Sequence, residues 1–139
     1  MSALKTARLA GEAFSLITGL DLAWLDLDRK PPEGPISGPN DDPGDPNVEL
    51  DEDDDLPWPD AGKIAAWWED NAPRFTPGVR YFMGEPPSPA HCLSVLRGGF
   101  QRQRIAAAEY LCLLTPGTPL FNTAAPAWRQ SRLLAQMSA

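Results

Sequence analysis

The sequence predicts a mainly all-α fold of α-solenoid type, in which helices pack as antiparallel pairs, with one long acidic, proline-rich loop and at most one short β element. Three observations predict it. Apolar residues recur at three- and four-residue spacing on both sides of the middle of the chain. Helix start and stop residues bracket those stretches. Between them, Pro31 to Asp60 holds eight prolines and eleven acids with no base and no helical periodicity, the composition of a loop. With 139 residues, 42% of them hydrophobic, the chain is long enough for one domain and too short for two well-cored ones, so a single helical domain over 1–139 is expected.

The first helix is expected over Ser2 to Thr18, with Leu4, Ala7, Gly11 and Phe14 in a stripe that Ala10, Ala13 and Ile17 widen, and Gly19 as the stop. Asp21 to Asp28 alternates loosely and fits either a short helix or an extended piece. After the loop over 31–60, Asp60 is the N-cap of a helix through Ile64, Trp67 and Trp68 that ends before Pro73. Val79 to Met83 is the one credible strand. Ser88 followed by Pro89, a capping residue and then proline in the first turn, opens a helix that stops at Gly98 or Gly99. A longer helix follows from about Phe100 to Leu114. Its second half is apolar nearly all round apart from Glu109, which marks it as the most buried element, with Ala106, Ala107 and Ala108 permitting close helix approach. A last helix starts near Ala125 and carries Trp128, Leu133, Leu134 and Met137. The pair joined by Gly98 and Gly99 has the form of one solenoid repeat, although no repeat at fixed spacing runs through the chain.

Charge is distributed unevenly. The formal net charge is -7, yet Met1 to Lys30 is balanced and Ala61 to Ala139 carries four acids against eight bases, so the excess acid belongs to the loop alone. The net charge of -7 disfavours direct binding to nucleic acid or to an anionic membrane surface, either of which needs a basic face. No apolar run approaches the roughly eighteen residues needed to span a bilayer. No signal-like segment opens the sequence, and two cysteines make no disulfide framework, so a cytoplasmic location with reduced thiols is expected.

Several strings, Ala7-Arg8-Leu9-Ala10-Gly11-Glu12-Ala13-Phe14, Ile17-Thr18-Gly19, Leu56-Pro57-Trp58-Pro59-Asp60, Arg80-Tyr81-Phe82-Met83-Gly84, Phe100-Gln101-Arg102-Gln103-Arg104 and Ala125-Pro126-Ala127-Trp128-Arg129, resemble the C-terminal region of a poorly characterised proteobacterial family of HEAT-like repeat proteins. The resemblance covers almost the whole chain. It implies HEAT-like helix pairs, a place at the C-terminal end of a longer repeat protein, and genes that often lie beside those of type VI secretion systems, near effectors, spike-tip proteins and their adaptors.

No catalytic set is legible. The sole histidine, His91, excludes a triad and a histidine-rich metal site. With Cys92 and Cys112 it offers at most a partial zinc set; the plainer reading is a helix-start histidine beside two small core thiols. Glycine-rich phosphate loops, paired-histidine motifs and nucleophile elbows are missing, and Ser37 lacks the flanking spacing of the last. Neither a catalytic residue, a metal ligand nor a cofactor is therefore assigned. Asn40 to Asn47 has a calcium-loop composition but not the fixed twelve-residue spacing of an EF-hand.

The feature with a physical consequence is the acidic run. Asp41, Asp42, Asp45, Glu49, Asp51, Glu52, Asp53, Asp54 and Asp55, with Trp58 as an apolar anchor, form the candidate partner-binding set, and a basic protein is the partner their charge selects. The plainer readings are a solvated loop, and a Trp58 that pins the loop to the body. Arg97, Arg102, Arg104, Arg129 and Arg132 are read either as a basic patch or, preferably, as a clamp on the acidic loop. Together with the resemblance, this points to a non-catalytic type VI interaction module, foremost an immunity-type protein that neutralises a nuclease effector. Alternatives are an adaptor or chaperone loading an effector onto the spike, and an enzyme using the run's carboxylates with a metal. Amides in place of Asp51 to Asp55 are expected to weaken partner binding and leave thermal stability nearly unchanged.

Overall fold

A computed structural model of the chain describes residues 6–33, 42–46, 48 and 51–137. It is mainly helical, with α1 (Ala7–Thr18), α2 (Ala61–Asn71), α3 (Pro89–Gly98), α4 (Gln101–Leu114) and α5 (Ala127–Gln136), and one small antiparallel sheet of β1 (Asp28–Arg29) and β2 (Trp58–Pro59). The predicted start of the first helix at Ser2 and its apolar Leu4 lie outside the described residues. The contacts divide the chain into two compact units, Met1–Ser15 with Leu20–Thr76, and Leu16–Gly19 with Pro77–Ala139.

In the first unit, the face of α1 that is covered runs through Arg8, Gly11 and Ser15, not through Ala10 and Ala13, which are exposed. Gly11 is there because space is short: a Cβ would come within 3.1 Å of Leu22 and 3.3 Å of Pro59. Asp21 to Asp28, open between a short helix and an extended piece, forms a turn over 22–26 and then extends, without a helix. Asp21 caps a tight turn by accepting the Trp24 N–H at 3.0 Å, Leu27 N–H closes it onto Leu22 O at 2.8 Å, and the chain then extends into β1. β1 pairs Asp28 with Pro59 and Arg29 with Trp58. Among the described residues, Leu22, Leu27 and Leu56 are the buried leucines of this unit. α2 follows from Asp60, whose carboxylate accepts the Gly62 and Lys63 N–H groups at 2.9 and 3.0 Å. No residue of α2 is fully buried; it is held by an aromatic cluster in which Phe14 meets Trp67 edge-on, with centroids 5.8 Å apart, and Trp68 stacks on Phe75 at 5.3 Å.

The second unit has the larger apolar core. Phe82, Cys92, Leu96, Ala107, Ala108, Leu111 and Phe121 form it, and Leu133, Leu134 and Met137 of the α5 region pack at its edge. The Ser88 hydroxyl accepts the His91 N–H at 3.2 Å at the start of α3, and Gly99 ends that helix. α3 and α4 then pack along each other, with Ala107 and Ala108 of α4 buried where close approach was expected. α4 is not buried all round, however. Ile105, Leu113 and Leu114 are exposed, because α3 and the Phe121 segment cover one side only. The predicted strand at Val79 to Met83 is also corrected: this segment makes a single bridge, Phe82 to Glu85, around a turn with Met83 and Gly84 at positive φ. The turn's purpose is to cap α1. Met83 N–H donates to Leu16 O at 2.6 Å and Gly84 N–H to Ile17 O at 3.0 Å, satisfying carbonyls that a helix end leaves orphaned.

Candidate functional site

Among the described residues, the acidic run is built outward from Asp51. Its Oδ1 accepts the Asp53 N–H at 3.0 Å, Asp54 N–H donates to Asp51 O at 3.1 Å, and Leu56 N–H donates to Asp53 O at 3.0 Å, so Asp51 to Leu56 is wound into consecutive turns. Two anchors fix those turns. Leu56 is a buried apolar plug, and Asp51 Oδ2 is ion-paired with the Arg8 guanidinium, the two side chains only 14% and 13% exposed. The same guanidinium lies over the Trp58 ring, 4.8 Å from its centroid. Arg8 thus holds both ends of the segment on α1.

This geometry sorts the predicted residues. Asp51 faces Arg8, and Trp58 is half-buried within β2 under the same guanidinium. Glu52, Asp54 and Asp55 are exposed, and Asp53 is half-buried. Together these four place acidic groups on a defined turn. Asp42 and Asp45 belong to a different turn, in which Asp42 Oδ1 accepts the Gly44 N–H at 2.9 Å. Asp41 and Glu49 lie outside the described residues.

The base paired with Asp51 is Arg8, which was not among the arginines read as a patch or a clamp, Arg97, Arg102, Arg104, Arg129 and Arg132. Arg104 is engaged elsewhere, donating to Leu96 O at 2.8 Å and to the Gln130 side chain. Arg132 lies over the Trp128 ring at 5.5 Å. A signal for Arg8 was present in the sequence: it stands three residues before Gly11 and seven before Ser15, the spacing of one helix face.

His91 and the cysteines do not converge. His91 Nε2 sits 2.9 Å from Phe82 O and, since a carbonyl only accepts, carries the hydrogen; Nδ1 is 3.4 Å from Glu85. Cys92 is fully buried, and burial pushes its thiol pKa up, away from thiolate chemistry. Among the described residues no three His, Cys, Asp or Glu side chains come together as a metal site. No described helix is long and apolar enough to cross a membrane. Comparison with protein-family models, curated proteins and solved structures finds no match.

Proposed function

We propose that the chain is a non-catalytic interaction module that docks the acidic turn Glu52 to Asp55 against a basic surface of a protein partner. The observation that carries this reading is the anchoring of the turn. Asp51 and Leu56 fix its two ends, so the backbone that carries Glu52, Asp54 and Asp55 has little conformational entropy left to lose on binding. Like charges so close repel one another, and a basic partner relieves that repulsion while adding contacts.

The type VI setting, the HEAT-like solenoid assignment and the immunity role come from the sequence resemblance. A nuclease effector suits the site, because a groove that binds phosphates is basic and closely spaced carboxylates are complementary to it. The test is co-expression with a candidate effector nuclease and recovery of the complex. Protection and a stable complex are expected. A complex that forms without loss of nuclease activity would instead favour the adaptor role.

At the residue level, reversing charge with Glu52→Lys, Asp54→Lys and Asp55→Lys is expected to slow association by about ten- to a hundredfold and flatten its salt dependence. The melting midpoint should barely move, since these side chains are exposed. An unchanged association rate would sink the docking role of the turn.

A further inference from the structure

The first unit contains an open groove of about 790 Å³ that the acidic turn does not use. Its walls come from the first turns of α1, from Pro59 and from the N-terminal half of α2, and its volume falls within the roughly 300–1,000 Å³ of small-ligand sites. Phe14, Pro59, Ile64 and Trp68 supply the bulky apolar lining, while Ala7, Ala10 and Ala65 leave the space open by having almost no side chain. The aromatic wall is held in place, Trp68 by stacking on Phe75 and Phe14 by its edge contacts with Trp67 and Trp68.

Two charged residues line it. The Asp60 carboxylate is engaged by the Gly62 and Lys63 N–H groups as the cap of α2. Arg29 is exposed and forms no ion pair among the described residues. The groove therefore combines an apolar, partly aromatic body with one cation that is not ion-paired, although its charge also acts on the Asp60 carboxyl, and its complement is an apolar body with an anionic head.

We propose that this groove binds a small amphipathic monoanion, with a flat apolar body against Phe14, Pro59 and Trp68 and a carboxylate or sulfonate on Arg29. A charged head on an exposed guanidinium adds modest affinity, and the apolar body supplies the rest. The inference is independent of the partner-docking role, which uses other residues.

Calorimetric titration of the whole chain with anilinonaphthalene sulfonate, a flat apolar monoanion, and with uncharged phenylnaphthylamine tests it. One equivalent of each dye is expected to bind. Arg29→Gln should weaken the sulfonate about fivefold and leave the uncharged dye unchanged. Ala65→Trp, at an exposed position of α2 that lines the groove, should remove binding of both; if that variant melts early, Ala10→Trp obstructs the groove from the α1 side. Equal sulfonate affinity in wild type and Arg29→Gln would overturn the proposal, as would undiminished binding after the groove is plugged. Capture of an apolar helical peptide with no saturable response to either dye would overturn it in favour of a peptide groove.

Discussion

Arg8 bears on three groups at once: it belongs to the covered face of α1, neutralises Asp51 and lies over Trp58. Arg8→Gln or Asp51→Asn is expected to lower stability by about 1–3 kcal/mol, because each leaves a largely buried polar partner without its charge. A double-mutant cycle by chemical denaturation checks it, and additive effects of the two changes would contradict a direct pairing. The same geometry corrects the expected outcome of replacing all of Asp51 to Asp55 by amides. Such a variant should lose stability through Asp51, so a clean test of docking leaves Asp51 in place. Asp60 offers a second test at this scale. The Lys63 N–H, foremost, holds its carboxyl below the usual value of 3.8, against a smaller desolvation that raises it, so its contribution to stability is present above that pH and lost as pH falls through the lower folded value. Asp60→Ala should reduce helicity at neutral pH and remove that part of the acid dependence, whereas Asp60→Asn, still a capping residue, should keep most of the helicity. Circular dichroism over an acid titration reads both.

At the scale of elements, what was legible in the sequence is what is local. Asp60, and Ser88 with Pro89, mark helix starts because a cap acts on amides within three residues of itself, and both work as their chemistry predicts; Gly99 ends α3 outside the left-handed region, at φ -77°, where a Cβ would come within 2.8 Å of Val95 O. The strands were not legible. β1 and β2 are two residues each and meet across nearly thirty residues of chain, so neither has an alternation pattern of its own to announce it. Nor was the closure of α1. Gly19 reads as an ordinary stop, yet its φ of +77° and the 2.7 Å separation a Cβ would have from Met83 O show that it also makes room for the segment that caps the helix. Gly84, at φ +84°, does the same toward Thr18 O. Gly19→Ala is thus expected to cost more than the roughly 1 kcal/mol of an unstrained glycine replacement. A thermal melt checks it, and a change within about 0.5 kcal/mol would show that the turn relaxes without loss. Between α4 and α5, Gln130 fixes the connection by donating to Thr123 O at 2.9 Å and Ala125 O at 2.5 Å and by accepting from Arg104. Gln130→Leu should destabilise by about 1–3 kcal/mol, since it strands carbonyls and a guanidinium with no replacement donor or acceptor. Nothing in the pattern of the last helix singles this glutamine out, because its partners all lie outside α5.

For the molecule as a whole, the mostly helical class was readable from composition and spacing, and the acidic segment from charge arithmetic. How that segment is held depends on Arg8, 43 residues from Asp51, and on the burial of Leu56, and of the seven candidate carboxylates among the described residues five, Asp51 to Asp55, share one run of turns. The two compact units differ in how they are stabilised. The second rests on aliphatic and aromatic burial around Phe82, which is 2% exposed, and Phe82→Ala is expected to cost about 3–5 kcal/mol. The first relies on an ion pair, short turns and the cluster of Phe14, Trp67, Trp68 and Phe75. That cluster has a spectroscopic consequence. Trp67 and Trp68, neighbours with centroids 6.5 Å apart, sit in a fixed chiral arrangement, whereas Trp24 and Trp128 are 85% and 67% exposed. Near-ultraviolet ellipticity should therefore report chiefly on the first unit, while the red-shifted, easily quenched part of the emission comes from Trp24 and Trp128. The chain carries its own optical labels, and loss of the ellipticity band at a lower denaturant concentration than the helical signal would reveal that the first unit melts before the rest.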